Sequence, residues 1–111
     1  MADPMDLLQG TLDVLVLRTL LGGAMHGYAV SRAIRERTRG ELEIDYAPLY
    51  KALHRLARAG CVSAAWGTSE NGRRARYYTV TARGRERLRE EEQAWRRYAR
   101  AVFRVLEPSD A

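Results

Sequence analysis

The stretch "ENGRRARYYTVTARG", Glu70 to Gly84, is the one on which the fold turns. Its "RARYYTV" reads as a strand, and the Asn71-Gly72 pair just before it is able to supply the positive backbone angles of a tight turn. Upstream, "CVSAAWG" reads as the partner strand, joined through "TSENGR". The result is a β-hairpin whose tip carries Arg73, Arg74 and Arg76, with only Glu70 nearby to offset them. A tip made merely soluble rarely needs three like charges, so this one reads as a place where an anion is met. Tyr77 and Tyr78 point to opposite faces of their strand, one to the core and one to the surface, and the spacing leaves open which is which.

Working outward, "APLYKALHRLARAG" predicts a helix in which Leu49, Leu53 and Leu56 form the inward stripe. Pro48 suits its first turn and Gly60 its C-terminal stop. The opposite face carries Lys51, His54, Arg55 and Arg58, while Tyr50 sits at the edge with its hydroxyl available. Before it, "ELEIDY" alternates Leu42 and Ile44 with acids and suggests a brief extended segment. "MHGYAVSRAIRERTRG" predicts a shorter helix built on Val30, Ala33 and Ile34 and stopped near Gly40, with His26 capping or packing at its start and Gly27 allowing a close backbone approach. The first helix runs from Leu7 to Leu21, with Leu8, Leu12, Leu15, Val16 and Leu20 near helical spacing and Gly22 and Gly23 at its end. Leu7, Val14, Leu17 and Leu21 widen its apolar surface, so a partner subunit is expected as a second cover.

Beyond the hairpin, Thr81 is a good N-cap for "ARGRERLREEEQAWRRYARAVFRVLEP". Leu88, Trp95 and Val102 recur every seven residues, Ala99 and Leu106 follow four after the last two, and Glu92 interrupts the pattern. A domain this small has too few neighbours to bury that stripe. The helix therefore reads as a homodimer seam formed with the first helix, through Leu8, Leu12, Leu88, Trp95, Ala99, Val102 and Leu106, a solitary exposed helix being the alternative. The fold class is mainly α with a small β-hairpin: a winged helix-turn-helix over residues 1–80 and a C-terminal dimerisation helix over 81–111. In that architecture the third helix fits the major groove of DNA and the hairpin is a wing reaching phosphates or the minor groove.

Composition agrees with one folded domain, since the chain has 111 residues and is 46% hydrophobic. Its formal net charge of +5 favours an anionic partner without distinguishing nucleic acid from an anionic membrane. Lys51 is the sole lysine, a bias that reflects mostly codon usage and to a lesser degree the forked geometry of arginine. Cys61, the single cysteine, excludes an internal disulfide and a Cys-rich zinc site and reads as a small core residue. "MADPMDLLQG" has acids where a signal peptide has bases, and no apolar run approaches the roughly 18 residues needed to span a bilayer. A soluble, cytoplasmic protein without membrane association is expected. Neither His26 nor His54 has a ligand spacing with another His or Cys, and no nucleophile stands with a base, so neither metal, cofactor nor enzymatic activity is expected.

Taken together, "LLQGTLDVLVLRTL", "MHGYAVSRAI", "LYKALHRLARAG", "RRARYYTVTARGRERL" and Trp95 resemble the PadR-type transcriptional regulators over nearly the whole chain, Leu7 to about Leu106. The resemblance implies a dimeric bacterial repressor of the smaller size class, with a single C-terminal helix, whose partner is double-stranded DNA. It implies DNA contacts from Tyr50, Lys51, His54 and Arg55 on the third helix and from Arg73, Arg74 and Arg76 on the wing. Trp95 becomes a candidate contact for a small flat aromatic effector held between subunits. One departure stands out: Ala47-Pro48 replaces the Gly-Ser or Gly-Thr common in the family, which removes a hydroxyl able to cap the helix and bind a phosphate. The rival reading is a winged-helix protein-interaction module without sequence-specific DNA binding, which would tend to carry apolar residues where Lys51, His54, Arg55, Arg73 and Arg74 stand.

Overall fold

The computed structural model describes residues 4–108, with side-chain surroundings from Gly10 onward. The chain runs α1 (Pro4–Leu20), β1 (Met25–His26), α2 (Gly27–Arg37), α3 (Tyr46–Arg58), β2 (Val62–Thr68), β3 (Arg74–Val80) and α4 (Ala82–Leu106). The expected hairpin is present, and a third strand joins it, giving an antiparallel sheet in the order β1-β3-β2. In β1, Met25 and His26 lie opposite Tyr78 and Tyr77. Two residues are too few to show a period of two, which is why the strand escapes a sequence reading. Conversely, the segment around Leu42 and Ile44 forms no strand; both side chains lie partly buried against the core.

α1 occupies the centre of the domain, packed against α2, α3 and α4. Its Leu12, Val16, Leu17 and Leu20 meet Val30 and Ile34 of α2, the Leu49, Ala52, Leu53 and Leu56 stripe of α3, and Val62, Tyr78 and Val80 from the sheet in one apolar cluster. Leu17 and Val14, which widen the apolar surface of α1, are thus covered at least in part within the chain, while Leu21 remains exposed. Two residues expected at a dimer seam are used here: Leu12 and Leu88 are buried inside the protomer. Leu8, assigned to the same seam, lies outside the described residues. From Trp95 onward the situation reverses, and Trp95, Tyr98, Val102, Phe103, Val105 and Leu106 are exposed, with Ala99 half-buried. α4 is about 37 Å long at 1.5 Å per residue, and its second half carries the molecule out to 61 Å along one axis against 28 and 27 Å along the others.

The local signals divide cleanly. His26 caps α2, its Nδ1 accepting from the Ala29 amide at 3.1 Å. Gly27, by contrast, is not a site of close approach, since a Cβ there would meet Leu53 at an ordinary 3.5 Å. In the hairpin only Gly72 takes a positive φ, of 74°, while Asn71 does not; the Gly72 amide bonds the Ser69 carbonyl at 2.9 Å and the Ser69 amide bonds the Arg73 carbonyl at 2.7 Å. The loop is therefore a turn followed by one left-handed residue rather than a two-residue mirror-image turn. α3 starts at Tyr46 and has no side-chain cap from Asp45; Pro48, third in the helix, removes one amide that would otherwise lack a partner.

Two contacts hold the elements in register. At the root of the wing, Thr81 caps α4 by accepting from the Gly84 amide at 3.0 Å, donates its hydroxyl to the Gly60 carbonyl at 2.6 Å, and donates its amide to the Cys61 carbonyl at 3.0 Å. Gly84 packs so tightly there that a Cβ would come within 2.0 Å of the Cys61 carbonyl oxygen. The second contact is buried charge. Asp13 of α1 receives Arg55 of α3 at 2.8 Å and Arg87 of α4 at 3.5 Å, and Arg87 is itself bound to Glu91 at 2.8 Å and touches the Cys61 thiol at 3.7 Å. Arg55, expected on the outward basic face of the helix, has its guanidinium drawn toward α1 by a carboxylate 42 positions away.

Burial pushes the Asp13 carboxyl above the ordinary carboxylate range, while the charge and hydrogen bond of Arg55, and then the charge of Arg87, pull it back; the nearby Glu91 adds to the rise. The Glu91 hydrogen bond, the largest influence on Arg87, holds that guanidinium protonated even more firmly than usual.

Gly84→Ala should destabilise the fold by at least about 2 kcal/mol, because the backbone carbonyl it strikes cannot rotate away as a side chain would. Chemical denaturation measures this, and a loss under about 0.5 kcal/mol would show the junction to be more pliant than its geometry. Arg55→Ala should cost about 1–3 kcal/mol at neutral pH, less than a fully stranded charge because Arg87 remains. A carboxyl with a raised folded-state pKa supports folding fully below its ordinary value of 3.8 and loses that support as pH rises. Removing Arg55 raises it further, so the penalty should shrink as pH falls into the carboxylate range. Equal penalties at neutral and acid pH would assign the effect to packing instead.

Candidate nucleic-acid interface

Between α3 and the hairpin lies an open cleft of about 780 Å³. One wall is aromatic. Tyr46 and Tyr50, one turn apart on α3, line it and stack with ring centroids 5.7 Å apart, and His54, a turn further and just outside the cleft, tilts against Tyr50 at 4.4 Å. Tyr50 and His54 were legible from the sequence; Tyr46 was not, because the segment before Ala47 reads as extended. Tyr28 and Arg32 of α2 continue the wall, with the Arg32 guanidinium 5.9 Å from the Tyr28 ring. Lys51 stands exposed on the adjoining face of α3, and Arg58 is exposed two turns further along.

The other wall is cationic. Arg73, Arg74 and Arg76 all line the cleft and all are exposed. The register pairs Trp66 with Arg76 and Thr68 with Arg74, so Trp66, Arg74 and Arg76 share one face of the ribbon. Trp66 does not stand out in the sequence, since its side follows only from the register. The two tyrosines are now assigned. Tyr78 is buried in the core, where loss of solvent pushes its phenol above the ordinary range against the charge of Arg76. Tyr77 faces outward, its ring lying over Gly67 and its hydroxyl donating to the Thr68 carbonyl at 3.0 Å. An arrangement of unpaired arginines facing exposed aromatic rings is suited to a polyanion that also presents flat or methylated surfaces.

A second, smaller groove of about 480 Å³ lies on the other side of the domain, lined by Gly10, Asp13, Val14, Arg55, Arg87, Glu91, Ala94 and Trp95. Trp95 is oriented there by its indole N–H, which donates to the Thr11 hydroxyl at 2.9 Å. Of the residues named from the sequence, then, Tyr50, His54, Lys51 and the three wing arginines gather at or beside the cleft, while Arg55 and Trp95 belong to the opposite groove. Among the described residues no cluster of His, Cys, Asp and Glu could hold a metal ion, and no helix is long and apolar enough to cross a membrane.

Known proteins share this architecture. An uncharacterised protein of Lysinibacillus sphaericus is 32% identical over 90 residues, covering 81% of this chain and 83% of its own. A transcriptional regulator from Clostridium thermocellum superposes with a TM-score of 0.83 at 26% identity, over 92% of this chain and 99% of its own. A PadR family transcriptional regulator from Eggerthella lenta gives 0.76 at 29% identity, over 94% and 88%. The family model described as "Transcriptional regulator PadR-like family" matches residues 16–90, from the middle of α1 through the wing and into α4. Since that span is well over half of the sequence and takes in both walls of the cleft, the chain belongs to the PadR-like family of transcriptional regulators.

Proposed function

We propose that the protein is a dimeric, sequence-specific DNA-binding repressor that reads a pseudo-palindromic operator through α3 and holds the phosphate backbone with its wing. The observation that supports this most is the cleft itself: the three wing arginines face the aromatic edge of α3 across one continuous concavity. Phosphate contacts position a protein on the duplex, whereas base edges in the groove confer sequence choice. In this reading Arg73, Arg74 and Arg76 do the first, and Lys51, Tyr50 and His54 the second. Arg55 is engaged by Asp13 and contributes by fixing the pitch of α3 rather than by touching DNA.

Dimerisation is supported by the apolar second half of α4. Six large apolar side chains stand in solvent there, and covering each contributes about 1.5–3 kcal/mol. The seam we propose comprises Trp95, Ala99, Val102 and Leu106, with Leu12 and Leu88 withdrawn to the protomer core. A flat aromatic effector would be sought in the groove beside Trp95, although packing and the bond to Thr11 already account for that residue's orientation.

Two experiments test these readings. Trp95→Glu with Val102→Glu should give monomers in sedimentation and weaken DNA binding at the same time; a double variant that stays dimeric would move the seam elsewhere. In selection of DNA fragments from a random pool, the protein should enrich a two-fold symmetric site with half-sites about one helical turn or a multiple apart. Lys51→Ala should relax preference at one symmetry-related pair of positions, where a good base contact is worth about 1–3 kcal/mol of discrimination. A uniform loss for all sequences would make Lys51 a phosphate contact, and failure of the unmodified protein to select any site would leave the interaction-module reading in its place.

A further inference from the structure

Trp66 is a large apolar side chain left 58% exposed at the cleft, with no core contact to account for it. Its surroundings are unusual. The Arg74 guanidinium carbon lies 4.3 Å from the indole centroid and that of Arg76 lies 5.5 Å away, both within range of the negative face of the ring. Two cations side by side on one strand repel each other. Among the described residues the ion pairs involve other side chains, so no carboxylate relieves that repulsion. The indole offsets it partly, and an anion seated between the two guanidinium groups would offset it further.

A guanidinium stacked on a ring keeps its N–H groups directed outward in its own plane, which leaves the bidentate fork open to phosphate oxygens. A long side chain so held has also lost much of its rotamer freedom before any ligand arrives, which lowers the entropic cost of binding. We propose that Trp66 is a positioning residue of the wing: its indole is the plate that holds Arg74, and with it Arg76, as a preformed fork for the phosphodiester backbone. The proposal rests on the DNA-binding reading above and assigns a role to a side chain that reading does not use.

Binding is measured across a series of salt concentrations for a selected site and for unrelated duplex DNA. Trp66→Ala should weaken both by roughly three- to tenfold, the range for loss of a cation-π contact. It should also flatten the dependence of log K on log salt by about 0.9, as for one lost phosphate contact, and leave the melting temperature unchanged. Trp66→Phe, which keeps a ring face, should retain most of the affinity. Trp66→Ala added to the Arg74→Ala, Arg76→Ala pair should bind no more weakly than that pair alone, because both guanidinium groups the indole holds are then already gone. A further loss when Trp66→Ala is added to the Arg74→Ala, Arg76→Ala pair, or a loss of affinity with an unchanged salt slope and a lowered melting temperature, overturns the positioning role. In protein carrying fluorotryptophan, the Trp66 resonance, assigned by its absence from Trp66→Phe, should shift on adding duplex; an unmoved resonance overturns the proposal as well. If the unmodified protein binds and selects DNA while Trp66→Ala matches its affinity and slope, this inference alone fails. If the unmodified protein binds no DNA, the proposed function fails with it.

Discussion

The contact between Gly84 and the Cys61 carbonyl is the constraint on which the remaining geometry depends. Cys61 directly follows the stop of α3 and directly precedes β2; Thr81 directly follows β3 and opens α4. Three hydrogen bonds at Thr81 and one missing side chain at Gly84 therefore bring the end of one helix, both roots of the hairpin and the start of the next helix to a single point. From that point the hairpin extends one way, forming a wall of the cleft, and α4 leaves another way across α1. A residue larger than glycine would force α4 off the strand ends and turn the wing and the C-terminal arm relative to each other.

Buried charge then determines which cations remain for binding. Asp13 has lost nearly all its solvent, and a carboxylate in that position is tolerated only with partners. Arg55 and Arg87 supply them, one from α3 and one from α4, so the central helix is tied to the two elements on either side. The tie also sorts the basic face of α3. Arg55 turns toward the groove that contains Trp95, and Lys51 remains exposed. The same ion pairs thus line the groove beside Trp95 and tie α3 and α4 to the central helix.

How much of this was visible in the sequence depends on the range of the interaction involved. Helices α1 to α4 and the hairpin rest on periodicity, caps and turn residues within a few positions of one another, and these were legible; Thr81 as N-cap and His26 at the start of α2 are examples. β1 was not, because its identity comes wholly from pairing with Tyr77 and Tyr78. The placement of Arg55 depends on Asp13, and that of Trp66 on strand register, so neither follows from neighbours in the chain. The heptad through Leu88 and Trp95 illustrates a different limit. Periodicity announces that a face will be covered, but it does not distinguish cover by the same chain, as at Leu88, from the open stretch that begins at Trp95.

The two walls of the cleft differ in a way that bears on how binding would proceed. The wing arginines are exposed, and three of them act over a Debye length of about 8 Å at physiological ionic strength, so their attraction for a polyanion precedes any close contact. The Tyr46, Tyr50 and His54 stack is short-ranged, since ring faces and hydroxyls act only on groups they touch. In a duplex held first by the wing, the aromatic edge of α3 would be the surface that tests sequence, and its stacking restricts each ring to few orientations. In the proposed reading such a site would separate capture from discrimination: changes on the wing would alter how strongly any DNA is held, whereas changes on the α3 edge would alter which DNA is preferred. Because the wing root and the end of α3 meet at the Cys61 and Gly84 junction, the spacing between the wing and the α3 edge is set by the backbone rather than by the side chains that line the cleft.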